Sequence, residues 1–391
     1  MIIPLVTLPY LIKTIGMDYY GVYSIVYVLI QYVILICAYG FNFSTTKQIS
    51  LNRNDINQVN KIVNATILSR LLLAFSSFLI VFLFTWIYYP KDYSIMLLYG
   101  SGMVIGDVIN PTWLFQGMEK MKFMTVINFI SKVVFTLAVF VFIKDDHAYI
   151  YITLLNSLGF LTAGIISYVF AYKYFNLKIF ISTVSDIKEQ FGNGWFIFLS
   201  TLSMNLYRNA NIFILSLFVS PALIGIYSAA EKVIKAIQAI NSPIANALFP
   251  HISVEIKKDK THNIAKIWRL CLIIGFFLLI VSCVTFFIAP LLNKLLLDDT
   301  VGAVSLINIM IPVIFFGGLN YILGIVGLIN LDAQRAFFHY VMISGVISIV
   351  FLISSVNWIG IASAAYAMTI SEVVLFLFCS IKLIRFKNIN I

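Results

Sequence analysis

Glu231, Lys235, Gln238 and Ser242 follow one another at i, i+4, i+7 and i+11 within "LIGIYSAAEKVIKAIQAINSPIANALFP", residues 223–250. On an α-helix that spacing makes one continuous polar stripe. A glutamate four residues before a lysine is a favourable helical ion pair, and a pair that only neutralises itself accounts for those two residues without any function. It does not account for Lys232 beside them, nor for Arg208 near the middle of the preceding run, "WFIFLSTLSMNLYRNANIFILSLFV" (195–219). An arginine at the centre of a membrane-spanning helix costs about 2.5–3.5 kcal/mol on insertion scales, so an offsetting interaction is required. Asn205 and Asn209 flank Arg208, which argues against a lipid-facing position. Arg70 and Lys132 are the other basic residues inside apolar runs, and Thr125, Asn128 and Lys132 share one helical face. Asp107, Glu231 and Glu372 are the acids. The cations outnumber the acids. A surplus of Lys and Arg at low dielectric attracts anions, and phosphate suits both side chains. The three acids are candidates for charge balance or proton exchange, roles that ionisable groups inside a membrane commonly serve.

These charges need apolar helices to hold them. Of the 391 residues 61% are hydrophobic, 15% aromatic and only 11% charged, and the mean hydropathy is +0.99. Soluble domains carry about 25% charged residues, so the bilayer is the main solvent here. A span needs about 20 apolar residues. The runs that meet or approach this are 1–15, 20–41, 62–88, 93–115, 123–143, 148–172, 195–219, 223–249, 267–290, 302–330, 336–357 and 359–382. The first is abbreviated. The expected fold is therefore an all-α polytopic membrane protein of about twelve spans. Its polar break at 173–194, "KYFNLKIFISTVSDIKEQFGNG", separates an N-terminal six-helix lobe (1–172) from a C-terminal one (195–391). Part of that linker is a candidate interfacial helix. "GVYS" at 21–24 and "GIYS" at 225–228 open the second span of each half, which points to a parallel internal repeat.

Lys and Arg crowd one side of the predicted membrane. Lys47, Arg53 and Lys61 follow span two, and Lys257, Lys258, Lys260, Lys266 and Arg269 follow span eight, whereas the opposite loops hold the single lysines Lys13, Lys91, Lys144 and Lys294. The positive-inside rule then places both termini and the linker in the cytoplasm. It also explains the net charge of +10 without a nucleic-acid partner. Cys37, Cys271, Cys283 and Cys379 sit in apolar runs and the four histidines are scattered, so no metal site is expected. No Gly-Lys pair occurs, which excludes a P-loop, and HExxH and GxSxG are also missing. "GSGMVIG" (100–106) carries Gly102 and Gly106 inside a span, where close helix packing explains them. No cofactor is expected.

Four segments resemble those of Wzx-type O-antigen flippases of the multidrug/oligosaccharidyl-lipid/polysaccharide exporter superfamily. They are "PLVTLPYLIKTIGMDYYGVYS" (4–24), "YGFNFSTTKQIS" (39–50), "NPTWLFQGMEKMKFMTVINFISKV" (110–133) and "LIGIYSAAEKVIKAIQAINSPIANALFPHIS" (223–253), the third being the most specific. The resemblance implies two six-helix lobes in the bacterial inner membrane. It also implies movement of undecaprenyl-pyrophosphate-linked oligosaccharide repeat units from the cytoplasmic to the periplasmic leaflet by alternating access. On that reading Arg208 and Lys235, backed by Lys232, Lys132 and Arg70, contact the pyrophosphate, and Tyr27 and Tyr207 are candidate sugar contacts. Partners would be the lipid-linked oligosaccharide, membrane lipids, and a polysaccharide polymerase with its chain-length regulator. Two alternatives remain: a multidrug or metabolite cation antiporter of the same superfamily, and a membrane-embedded oligosaccharide polymerase or glycosyltransferase. The antiporter would want a net-acidic cavity. The enzyme would want a large loop or a carboxylate and arginine cluster outside the spans.

Overall fold

The computed structural model describes residues 3–180, 182–241, 243–244, 248, 260–331 and 333–389. Among them every regular element is helical, as a bilayer demands when each backbone N–H and C=O must be satisfied within its own segment. α1 (Ile3–Ala38) contains the first two expected spans, broken at Gly16 with φ 74° and ψ 171°. That region is essentially restricted to glycine, so one residue divides α1 into a short first arm and a full-length second.

The chain forms two compact units. One is residues 14–205; the other is residues 1–13 with 206–391. These limits differ from the lobes read from the sequence in two places. The first arm of α1 belongs with the C-terminal half, and the later division falls inside a helix rather than in the polar break.

In the unit of residues 14–205, α2 (Phe41–Leu51) follows a left-handed Gly40. α3 (Ile56–Tyr88) begins where the Asp55 carboxylate accepts from the backbone N–H groups of Asn57 and Gln58 at 3.0 and 3.1 Å. This satisfies two donors that a helix start otherwise orphans. α4 (Lys91–Ile109) ends before Asn110-Pro111. The short α5 (Thr112–Gly117) buries Trp113, Leu114 and Phe115 completely and lies against α2, where Gly117 leaves no space for a Cβ beside Ile49. α6 (Met121–Phe142) follows, then a 3-10 turn (Asp146–Tyr151) and α7 (Ile152–Tyr174). Gly102 and Gly106 face α7, where a Cβ on Gly106 would strike the Phe160 backbone, and Gly164 faces the Gly106 carbonyl in return. The glycines of "GSGMVIG" are packing residues, as read.

The expected linker divides into two parts. Residues 175–180 are non-helical and strapped to α3. Asn60 Oδ1 accepts from the Lys178 N–H at 2.8 Å, and Asn64 Nδ2 donates to the Lys178 carbonyl at 2.9 Å. α8 (Val184–Leu215) then starts on a reciprocal cap, with the Asp186 N–H donating to Thr183 Oγ1 and the Thr183 N–H to Asp186 Oδ2. It runs without a break into the seventh expected span.

The other unit contains the end of α8, α9 (Pro221–Gln238), α10 (Lys260–Leu296) and α11 (Ala303–Asn320). A π-helical stretch (Tyr321–Ile329) continues α11, and α12 (Gln334–Ile359) and α13 (Ala362–Ile389) complete the unit. Counting the two arms of α1, all twelve expected spans fall on helices among the described residues. Eight segments among those residues are long and apolar enough to cross a membrane by length and composition alone. The expected spans outside those segments are α4, α8 and α9, the helices that carry Asp107, Arg208, and Glu231 with Lys232 and Lys235.

Candidate functional site

Each unit holds interior charges of its own among the described residues. In the unit of residues 14–205, α3 carries Arg70 with its side chain only 3% exposed. Its Nη2 lies 2.5 Å from Asp107 Oδ2 on α4, and Nη1 donates to the Asn110 carbonyl at 3.4 Å. Ser167 Oγ of α7 donates to Asn110 Oδ1 at 2.9 Å. α4 ends here because the residue before Pro111 is driven out of helical conformation. The C-terminus of α4 carries the negative end of the helix dipole, so a cation is favoured at this point. Arg70 therefore ties α3 to the end of α4 and has its counter-ion within its own unit. It neither snorkels to the surface nor stands as surplus charge.

On α6, Thr125, Asn128 and Lys132 are all exposed. Tyr27 on α1 is half-buried, its ring 5.8 Å from that of Tyr23.

In the other unit the charges build on α9, whose stripe is organised by a residue the sequence reading did not single out. Asn211 Nδ2 on α8 donates to Tyr227 Oη at 2.9 Å, and Tyr227 donates to Glu231 Oε1 at 3.3 Å. Lys235 Nζ lies 3.0 Å from the same oxygen. Tyr227, Glu231 and Lys235 are spaced at i, i+4 and i+8, so a single helix face holds the whole line. Glu231 is 7% exposed and Lys235 41% exposed, so the line runs from a buried amide to an accessible ammonium. Lys232, a neighbour around the helix, is half-buried. One turn further on, Gln238 Nε2 donates to the Val313 carbonyl at 3.5 Å, and the side chains of Gln238 and Glu372 both crowd Gly317 of α11. Asn320, at the end of α11 where the helix opens into its π turn, donates through Nδ2 to Glu372 Oε2 at 2.7 Å and to the Glu372 carbonyl at 2.9 Å. Glu372 is thus held on α13 by α11. Arg208 and Tyr207 lie in α8, but their side chains are outside the described residues, as is Ser242. By position Arg208 precedes Asn211 by three residues, the interval of one helix face.

The G-x-Y-S echo has a chemical counterpart. Tyr23 Oη accepts from Asn156 Nδ2 at 3.2 Å, as Tyr227 Oη accepts from Asn211 Nδ2, although the two asparagines come from different helices of the series. Four and eight residues on, the N-terminal copy has Tyr27 and Gln31 where the C-terminal copy has Glu231 and Lys235. The two helices share a scaffold, and at these two positions only the second is charged. A search from sequence could have found Tyr227, which lies one helical turn before Glu231. Asn211 and Asn320 carry no such signal. Among the described residues no group of three or more His, Cys, Asp or Glu side chains is arranged to hold a metal ion.

A family model described as polysaccharide biosynthesis protein matches residues 1–255. The chain belongs to that family. The chain is 25% identical over 360 residues to a protein of Escherichia coli (strain K12) named "Putative O-antigen transporter", covering 90% of this chain and 85% of the relative. A Shigella dysenteriae protein of the same name is 26% identical over 252 residues, 64% of this chain and 63% of the relative. Among solved structures, the inward closed conformation of the lipid II flippase MurJ superimposes with a TM-score of 0.82, at 13% identity, over 97% of this chain and 85% of that one. An inward-facing multidrug resistance transporter of the MATE family gives 0.73, at 12% identity, over 99% of both chains. At these identities the solved structures define the fold alone, a polytopic helical fold shared with these two transport proteins. The chain is a multi-pass membrane protein with that all-α architecture among its described residues.

Proposed function

We propose that this protein is a flippase for lipid-linked saccharides. It is a transporter and not an enzyme. In full, the reading is that it carries undecaprenyl-pyrophosphate-linked oligosaccharide repeat units from the cytoplasmic to the periplasmic leaflet of the bacterial inner membrane, with both termini cytoplasmic. The relatives named as O-antigen transporters support the substrate class, and the fold shared with a lipid II flippase supports the transport mode. The observation that carries the reading is Lys235: a cation on α9 whose ammonium is held 3.0 Å from a buried carboxylate while its side chain remains 41% exposed.

The physics of the task explains why such a group is useful. The polyprenyl tail stays in lipid while the diphosphate and sugars cross a region of low dielectric. Moving an unpaired anion there is severely unfavourable, and positioned cations replace part of its lost hydration. Lys235, with Lys232, Lys132 and Arg208, supplies that charge, and Tyr27 and Tyr207 offer faces for sugars. Arg70 contributes only indirectly, because Asp107 already holds it. Glu231 and Glu372 balance charge or exchange protons. Alternating access by rocking of two helical bundles needs no nucleotide site. A polysaccharide polymerase and its chain-length regulator are the partners such a pathway would supply.

The likeness to a multidrug transporter over 99% of both chains favours a second reading, a cation antiporter. Its cargo would need a net-acidic interior, and the surplus of Lys and Arg in the spans argues against it. The test is complementation of a flippase-deletion strain. Lys235→Ala, expressed and inserted at the level of the parent, should restore little surface polysaccharide, and Lys235→Arg should restore most of it. Full restoration by Lys235→Ala would refute the assignment.

A further inference from the structure

The Asn211–Tyr227–Glu231 line ends on the residue that the proposed function uses, and its hydrogen bonds all run in one direction. Asn211 donates to Tyr227 Oη, which commits the hydroxyl proton to Glu231 Oε1 at 3.3 Å. The Asn211 amide is itself anchored, since Nδ2 also reaches the Ala364 carbonyl of α13 at 3.4 Å. Tyr227, Ser228, Ala229 and Ala230 are buried, so α9 is closely packed at this level. Glu231 Oε1 then receives two donors, the tyrosine hydroxyl and the Lys235 ammonium.

A lysine carries a flexible four-carbon stem, and a free lysine loses that rotamer freedom on binding an anion. Here the carboxylate holds the ammonium in one place before any ligand arrives. The tyrosine keeps the carboxylate in that rotamer and takes part of its accepting capacity, so the lysine retains donors for an external anion. An ammonium has three N–H groups, and one directed at Glu231 leaves two.

We propose that Tyr227 and Asn211 are positioning residues that act through Glu231 to preset Lys235 for a diphosphate. The inference rests on the flippase reading, in which Lys235 contacts that group. The uncharged copy of the motif sharpens it: Tyr23 takes an asparagine amide in the same way, yet is followed by Tyr27 and Gln31. The tyrosine–asparagine clamp is therefore common to both units, and only the C-terminal one uses it to hold an ion pair.

The experiment is a double-mutant cycle on the purified full-length protein, reading affinity for inorganic pyrophosphate by calorimetry. Thermal unfolding confirms that each variant is folded. Lys235→Ala should weaken binding at least tenfold. Tyr227→Phe, which keeps the ring packing, should weaken it about three- to tenfold in the parent and leave it unchanged in the Lys235→Ala background, because residues acting through one contact are not additive. Asn211→Ala should repeat this pattern from the other end of the line, which covers a Tyr227→Phe variant that fails to fold. An equal loss in both backgrounds, or no loss in the parent, overturns the positioning role while the flippase reading stands. Undiminished binding by Lys235→Ala overturns both.

Discussion

Lys235 Nζ and Tyr227 Oη converge on one oxygen, Oε1 of Glu231, from opposite ends of two turns of α9. The lysine is 41% exposed and the glutamate 7%, so removing either partner has a different consequence. Without Lys235 the carboxylate is left buried with the tyrosine as its remaining donor, and burying a charge with too few partners is unfavourable. Without the carboxylate the lysine still reaches solvent. Lys235→Ala should therefore lower the thermal stability of the purified protein more than Glu231→Gln does. The reverse order would show that the lysine is not the exposed member of the pair.

The Arg70–Asp107 pair makes a different prediction. Breaking a buried pair from one side costs on the order of 3 kcal/mol, whereas replacing both partners by apolar residues of similar volume is often neutral. Arg70→Ala and Asp107→Ala should each lower the unfolding temperature, and the double variant Arg70→Met/Asp107→Leu should recover most of the loss. If it also transports, Arg70 is a structural tie. Loss of transport by a stable double variant would return Arg70 to the substrate path.

Gly106 allows no side chain, because a Cβ there meets the Phe160 backbone, which cannot turn aside. Gly106→Val should abolish accumulation of the protein in membranes. Gly192→Ala, at a position with open space around it, should accumulate at the parent level. Membrane fractionation with immunoblotting compares them directly. Normal insertion of Gly106→Val would contradict the close approach of α4 and α7.

Asp186 links the segment before α8 to α3. The hydrogen bond from Lys61, 2.9 Å away, holds its carboxyl below the ordinary range of about 3.9, with help from Thr183. A depressed carboxyl stabilises the folded form above its unfolded value and loses that contribution as pH falls through the folded one. At neutral pH, Asp186→Asn should speed proteolysis between residues 175 and 183. As pH falls below about 3.9 the difference from the parent should shrink. A difference that persists undiminished at low pH would mean the ion pair is not its source.

Residue identity was enough to place the helices and the charges. A chain in lipid must satisfy its backbone locally, so apolar length alone marks a spanning helix. Nine of the twelve runs were legible for that reason, whereas α4, α8 and α9 fall outside the segments that qualify by length and composition alone; the packing glycines of "GSGMVIG" and the Glu231–Lys235 spacing were legible from helix periodicity. Partnership was not, because it depends on distance in space. Arg70 meets Asp107, and Asn320 meets Glu372, across separations that no periodicity encodes. Asn211 reaches Tyr227 through a helix hairpin whose register is set by packing. The same holds for the continuous α8, where a polar stretch that reads as linker forms a capped helix start once Asn60, Asn64 and Lys61 bind it. Local chemistry decided which groups enter the membrane, and tertiary contact decided which of their charges were neutralised and which stayed open.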